Sequence, residues 1–220
     1  MPKIICMSDS HTYENFEAPE GDILIHSGDI SFRGTFAEMN KGMQWLGKFP
    51  HKFKIFVCGN HDWLGEKDPS LMKALAEENG IIYLDDSGIE IMGLRIWGSP
   101  VQPAFCNWAF NRKRGEEIAR HWTKIPDNTQ ILITHGPPFG ILDVNTEEPY
   151  HKHLGPEHLG CEELRKRVDQ LKDLKLAVWG HIHSSHGEEF INGVKFVNAS
   201  VLDESYNVVY KPIVVNLENK

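Results

Sequence analysis

The stretch WGHIHSSHG, residues 179–187, sets His181 and His183 one residue apart beside Gly180, directly after the apolar run 174–178. Two imidazoles on one turn suit a metal ion, provided that other segments bring further ligands to the same place. Four more clusters carry suitable groups: Asp9 and His11 in DSH, Asp29 in GD, Asn60, His61 and Asp62 in GNHD, and His135 in HG. Carboxylate, imidazole and amide oxygen without thiolate is a donor set for a divalent ion. Asp9, His11, Asp29, Asn60, His135, His181 and His183 supply seven such groups. If one aspartate bridges, they give four protein ligands to each of two ions and leave positions for water and substrate. Two ions roughly 3.5–4 Å apart clamp a phosphoryl group and generate a hydroxide between them. Gly28, Gly59, Gly136 and Gly180 are expected to let the backbone turn and approach the ions and the substrate.

These groups need a scaffold that delivers them to one point. Each cluster follows a strand-like run: 3–7 before Asp9, 22–26 before Asp29, 53–58 before Asn60, 130–134 before His135 and 176–179 before His181. The crevice outside the carboxyl ends of strands is where open α/β sheets hold ligands. Further strand-like runs are 81–84, 89–92, 94–97, 188–191, 194–197 and 213–217. Helices are expected over 69–79, with Asp68 as cap, Pro69 in the first position and Gly80 at the exit, and over 161–172 and 35–46. The last of these aligns Phe36, Met39, Met43 and Leu46 on one face. At 220 residues the chain is expected to form a single domain, 1–220. Its fold class is α/β, with two packed β-sheets flanked by helices.

The motifs D-x-H, GD, GNHD, HG and GHxH, in this order from Asp9 to His183, resemble those of the calcineurin-like metallophosphoesterase superfamily, which implies two mixed β-sheets packed as a sandwich and flanked by helices in four layers. The segments SDSHTYENFEAPEGDILIHSGDISFRG, ITHGPPFGILD, LGCEEL and VNAS are similar to the branch of small metallophosphoesterase domain-containing proteins, which includes cyclic nucleotide phosphodiesterases. The resemblance implies one ion held by Asp9, His11, Asp29 and His183, and a second held by Asp29, Asn60, His135 and His181. It also implies that His61 does not coordinate metal but contacts substrate and assists the leaving oxygen, oriented by Asp62. No ligand position departs from the family pattern. The expected reaction is in-line attack on phosphorus by a hydroxide bridging two divalent ions, catalysed mainly by positioning and electrostatics. Manganese is favoured, iron is its native rival, and zinc, cobalt and nickel also suit the donors.

The expected substrate is a small nucleotide-like phosphodiester, with cyclic nucleotides as one candidate. Rival readings are a phosphomonoesterase or protein phosphatase, and a nucleotide-binding regulator with a nearly inert site. Asn60, His61, Arg33 and Trp63 are candidate substrate contacts; for Arg33 the alternative is a surface salt bridge. Phe105, Trp108 and Phe110 read as core packing rather than base-stacking groups. Arg112, Lys113 and Arg114 read as the solvated opening of a helix. The segment 136–160, with His151, His153 and His158, is either a surface excursion or a substrate-binding loop.

A net charge of −8 disfavours long nucleic acid as a partner, because that affinity comes from clustered Lys and Arg. No run approaches the length of a membrane helix, and the first residues lack a signal-peptide core. Four cysteines, Cys6, Cys58, Cys106 and Cys161, lack C-x-x-C spacing. They read as reduced, mostly buried thiols of a cytoplasmic protein. Asn198-Ala199-Ser200 matches a glycosylation pattern only by chance on this reading.

Overall fold

The structure, a computed structural model, describes residues 2–145 and 157–217. In chain order the elements are β1 (Lys3–Met7), β2 (Ile23–His26), α1 (Phe36–Gly47), β3 (Phe53–Phe56), α2 (Trp63–Lys67), α3 (Pro69–Glu78), β4 (Ile82–Tyr83), β5 (Ser87–Ile91), β6 (Leu94–Ser99), β7 (Gln102–Pro103), β8 (Asn111–Arg112), α4 (Glu116–Trp122), β9 (Ile131–Thr134), α5 (Glu162–Val168), β10 (Leu176–Trp179), β11 (Gly187–Ile191), β12 (Val194–Asn198) and β13 (Ile213–Asn216). A single 3₁₀ turn, His183–Ser185, follows β10.

Two sheets dominate. The first has the order β13-β1-β2-β3-β4 and the second β11-β12-β10-β9-β6-β5. In each the inner pairings are parallel, with β13, β11 and β5 running antiparallel at the edges. Parallel strands of this kind are covered on both faces, which is why β1, β2, β9 and β10 read as continuous apolar runs instead of alternating ones. Alternate residues serve different layers: Ile4 and Cys6 face the core between the sheets, while Ile5 and Met7 face a second core. That second core includes Met39, Met43 and Leu46 of α1 and Met72 and Leu75 of α3. A third core sets Leu132, Ala177 and Trp179 against Ile118 and Trp122 of α4 and Leu164 and Val168 of α5. The result is helices, sheet, sheet, helices, the layering expected from the sequence.

Helix ends follow local chemistry. Thr35 and Glu38 form a reciprocal capping box at the start of α1, and Asp68 accepts from the Leu71 N–H ahead of Pro69 in α3. One expectation for α1 fails: Phe36 is exposed, and Trp45 is buried with Met39, Met43 and Leu46 instead. Phe36 is the first residue of α1 and is about half exposed. The helix read over 161–172 ends at Val168, although Leu171 is still buried. Arg112 and Arg114 are not solvated helix openers. Arg112 lies in β8 and pairs with Glu66, while Arg114 donates to the carbonyls of Leu159 and Gly160 and pairs with Glu162. Of the cysteines, Cys6, Cys58 and Cys161 are buried and Cys106 is exposed.

Strand register sets the position of the site. Met7 pairs with His26, and His26 with Phe56, so three strands of the first sheet end level. Val178 pairs with Ile133 in the second sheet, so β9 and β10 end together as well. The sheets are joined at this end by the bridge between Ser8 and Ser200 and by the Val201 N–H bond to the Ser8 carbonyl. Loops from both sheets therefore meet over one crevice.

Candidate metal centre and active site

The five loops that the sequence singles out converge there. Asp9, His11, Asp29, Asn60, His61, Asp62, His135 and His183 are all buried, and His181 is half-buried. Three interlocking groups of donor atoms lie within 4.8 Å of one another: Asp9, His11 and His183; Asp9, Asp29 and His135; and His11, Asp29 and His61. Asp29 Oδ2 lies 3.3 Å from His135 Nε2 and 3.7 Å from His11 Nε2, between the two histidines. Its other oxygen accepts from the His61 backbone N–H at 2.8 Å, which fixes the carboxylate plane. Asp9 Oδ1 lies 3.4 Å from His183 Nε2, and both its oxygens accept from the His181 N–H.

The histidines share one hydrogen-bond arrangement. Nδ1 of His11 faces the Ser31 carbonyl at 3.1 Å, Nδ1 of His135 the Ser27 carbonyl at 3.0 Å, and Nδ1 of His183 the Asp203 carbonyl at 2.9 Å. A carbonyl only accepts, so each Nδ1 carries the proton and each Nε2 presents its lone pair to the cluster. Such outer partners orient metal-binding histidines. The donors therefore fit a cation on structural grounds. His11 Nε2 is buried without a hydrogen-bond partner, and His135 Nε2 faces the acceptor oxygen of Asn60 at 2.8 Å.

Charge tells the same story. Burial pushes the Asp9 and Asp29 carboxyls up, but His183 and His135 respectively outweigh it and hold them below the usual carboxylate range. Burial lowers His135 and His183, yet the facing Asp29 and Asp9 raise both to about 9. Burial takes His11 down to about 4 and His181 to about 3. The buried carboxylates thus favour positive charge beside them.

The backbone is strained where it delivers these groups. Asp9, His11, Asp29 and His181 have positive φ, from 40° to 68°. Each such residue costs on the order of 1–2 kcal/mol, and strain of this kind gathers at functional sites. Bonds between loops hold it: the N–H groups of Asp9, His11 and Thr12 donate to the carbonyls of Gly28, Asp29 and Ile30. Three of the four expected glycines are required by close approach. A Cβ on Gly180 would lie 1.9 Å from Asp9 Oδ2, one on Gly59 2.2 Å from Asp29 Oδ1, and one on Gly28 2.4 Å from His135 Nδ1. Gly136, expected to act likewise, has room for a Cβ, whose nearest neighbour would be Gln102 Cβ at 3.4 Å.

The cluster floors a cavity of about 520 Å³ whose walls include Phe105, Trp108, Arg114, Asn145, Glu204 and Tyr206. Several expectations need correcting. Asp62 does not orient the His61 ring. His61 Nδ1 bonds the Phe32 carbonyl at 2.7 Å, whereas Asp62 accepts from the N–H groups of Gly59, Ser31 and Ile30 and from the Ser31 hydroxyl. Its carboxylate therefore ties the GNHD loop to the GDIS loop. Neither Arg33 nor Trp63 lines the cavity: Arg33 is exposed, and Trp63 begins α2 and packs against the second core beneath Lys67. His158 bonds Asp143 and lies outside the lining, while His151 and His153 fall outside the described residues.

Trp108, read as core, lines the cavity and stacks on His61; only Phe110 of that aromatic trio is buried. Tyr206 and Glu204 had no motif to mark them. Asn198, set aside as a chance glycosylation match, is buried and donates to the Ile182 carbonyl at 2.8 Å, latching the GHIH turn. The VNAS segment carried that signal.

A two-sheet sandwich with carboxylates and imidazoles at its strand ends, open to a cavity, has the donor set of a metal-dependent hydrolase, and the family of the chain makes the esters phosphoric. The chain belongs to the calcineurin-like phosphoesterase family, whose sequence profile matches residues 2–185. It is 36% identical to human metallophosphoesterase domain-containing protein 1 over 98% of this chain and 71% of that protein, and equally similar to the mouse counterpart. A solved Thermus thermophilus structure shares the fold, with a TM-score of 0.55 at 12% identity, over 90% of this chain and 88% of the other. The family implies divalent metal ions, and the donor groups above are the candidates to hold them. No helix among the described residues is long and apolar enough to cross a membrane.

Proposed function

We propose that this protein is a dinuclear-metal-dependent phosphodiesterase acting on small nucleotide-like phosphodiesters, cyclic nucleotides among them. The observation that carries this reading is the position of Asp29 Oδ2 between His11 Nε2 and His135 Nε2, on the floor of a cavity with aromatic walls. Asp9, His11, Asp29 and His183 would hold one ion; Asp29, Asn60, His135 and His181 would hold the other, with manganese favoured over iron. The ions supply an acidified water and charge neutralisation at the phosphate oxygens.

The protein's own groups do the rest. The carbonyls of Ser31, Ser27 and Asp203 keep the ligating histidines in one tautomer. Phe32 holds His61 Nδ1, which leaves Nε2 of that ring for the substrate's leaving oxygen. Phe105, Trp108 and Tyr206 exclude water from one side of the cavity and offer flat apolar surface to a base. Metal-stripped protein assayed with and without manganese, on bis-p-nitrophenyl phosphate and p-nitrophenyl phosphate, tests the reading. Manganese-dependent preference for the diester, abolished in Asp29→Asn, is expected. Preference for the monoester would replace it with a phosphomonoesterase, and inactivity with both ions bound with a nucleotide-binding regulator. His61→Ala should retain both ions; loss of metal would make His61 a ligand, which its place beside His11 and Asp29 also permits.

A further inference from the structure

We infer that Trp108 is a positioning residue for His61, an inference that rests on the role proposed above for that histidine. The indole and imidazole rings stack with centroids 4.1 Å apart and planes 29° from parallel. Among the described residues His61 has one ring hydrogen bond, from Nδ1 to the Phe32 carbonyl. A single bond leaves an imidazole free to swing, because the torsion that turns it has broad energy wells. The other ring contacts, His11 at 4.6 Å and Phe32 at 5.8 Å, are T-shaped. Of these three neighbours Trp108 is the one stacked on the ring.

The indole is itself fixed relative to the loop it serves. The Ala109 N–H, one residue after Trp108, donates to the carbonyl of Asn60, one residue before His61, at 3.1 Å. Ala109 and Phe110 are buried in the second core, and the Phe110 N–H bonds Glu66 Oε2 at 3.0 Å. The 104–110 loop is thus registered to the GNHD loop by a backbone bond.

The test uses manganese-loaded full-length protein and a pair of aryl phosphoesters, phenyl and p-nitrophenyl, of whichever ester class the wild type hydrolyses. Trp108→Ala is expected to lower kcat about tenfold or more on the phenyl ester, whose leaving oxygen needs assistance, and less on the p-nitrophenyl ester, with KM little changed. Trp108→Phe should restore most of the loss. In a His61→Ala background, Trp108→Ala should add almost nothing, since the group it positions is gone. Equal losses on both esters, a KM effect with kcat retained, or full additivity with His61→Ala would each overturn the inference. A crystal structure of Trp108→Ala reads the same point without turnover: a displaced or multiply oriented His61 ring is expected, and an unmoved ring would refute it. A wild type that prefers monoesters would remove the diesterase reading and leave this test intact.

Discussion

Asn60 Oδ1 and His135 Nε2 lie 2.8 Å apart, while the other ring nitrogen of His135 bonds the Ser27 carbonyl. With Nδ1 carrying the proton, two acceptors face each other across this gap, so either an extra proton or a cation must sit between them.

Chelation should therefore destabilise the protein as well as silence it. A ligand that binds only the folded state stabilises by about 2.7 kcal/mol at a hundred times its Kd. Treatment with a chelator is expected to lower Tm by several degrees and abolish phosphoester hydrolysis, and added manganese should restore both. Differential scanning calorimetry beside the assay checks this; an unchanged Tm with two ions removed would contradict it.

Gly180 and Gly136 make a matched pair. Gly180→Ala drives a Cβ into the Asp9 carboxylate, whereas Gly136→Ala makes only ordinary contacts, with Gln102 Cβ at 3.4 Å and the His181 ring at 4.0 Å. Elemental analysis should find fewer than two ions per chain in Gly180→Ala and the wild-type content in Gly136→Ala. Equal metal content in both variants would show that the loop after β10 yields more readily than its packing implies.

Asp62→Asn should be costly although it preserves shape. Oδ1 accepts from the Ser31 N–H and hydroxyl, and Oδ2 from the N–H groups of Gly59 and Ile30. An amide placed here must point an NH2 at one of these pairs of donors. Leaving buried donors unpaired costs roughly 1–3 kcal/mol, a loss that urea unfolding would read. Burial and the Asp29 charge push this carboxyl up to about 6, so it is also a group whose ionisation the fold maintains at some expense.

Away from the cavity, Asp86 links the start of β5 to the end of β6 and to α4. It accepts from Ser99 and Lys124, each at 2.7 Å, and bonds His121 at 2.6 Å. Burial raises its pKa, but the bonds from Lys124, Ser99 and His121 outweigh that and hold the carboxyl below its ordinary value. A depressed folded pKa adds stability that is present above the unfolded value, about 3.9, and is lost as pH falls through the folded one. Asp86→Asn should cost about 1 kcal/mol near pH 7, a modest figure because Lys124 is half exposed and screened. The gap to wild type should narrow below pH 4; a gap constant from pH 7 to pH 3 would exclude the carboxylate's charge as its source.

What the sequence by itself determined is the scaffold and the candidate metal-binding groups at its strand ends. Strands such as Lys3–Met7 and Leu176–Trp179 are legible because a strand buried on both faces must be apolar throughout, and the polar clusters after them mark where burial stops. The cap at Asp68 is legible because the bond it makes lies within four residues. Only the tertiary structure decided which side chains meet across loops. Asp62 sits beside His61 in sequence yet bonds residues 30 and 31, while Trp108, 47 positions away, covers the imidazole face. Trp63 and Arg33, adjacent to motifs, are carried away from the cavity by the start of α2 and by the exposed turn before α1. Local pattern reports what a segment buries; the partner it finds depends on sheet register and on loops packed from distant parts of the chain, and no spacing along the sequence encodes that distance.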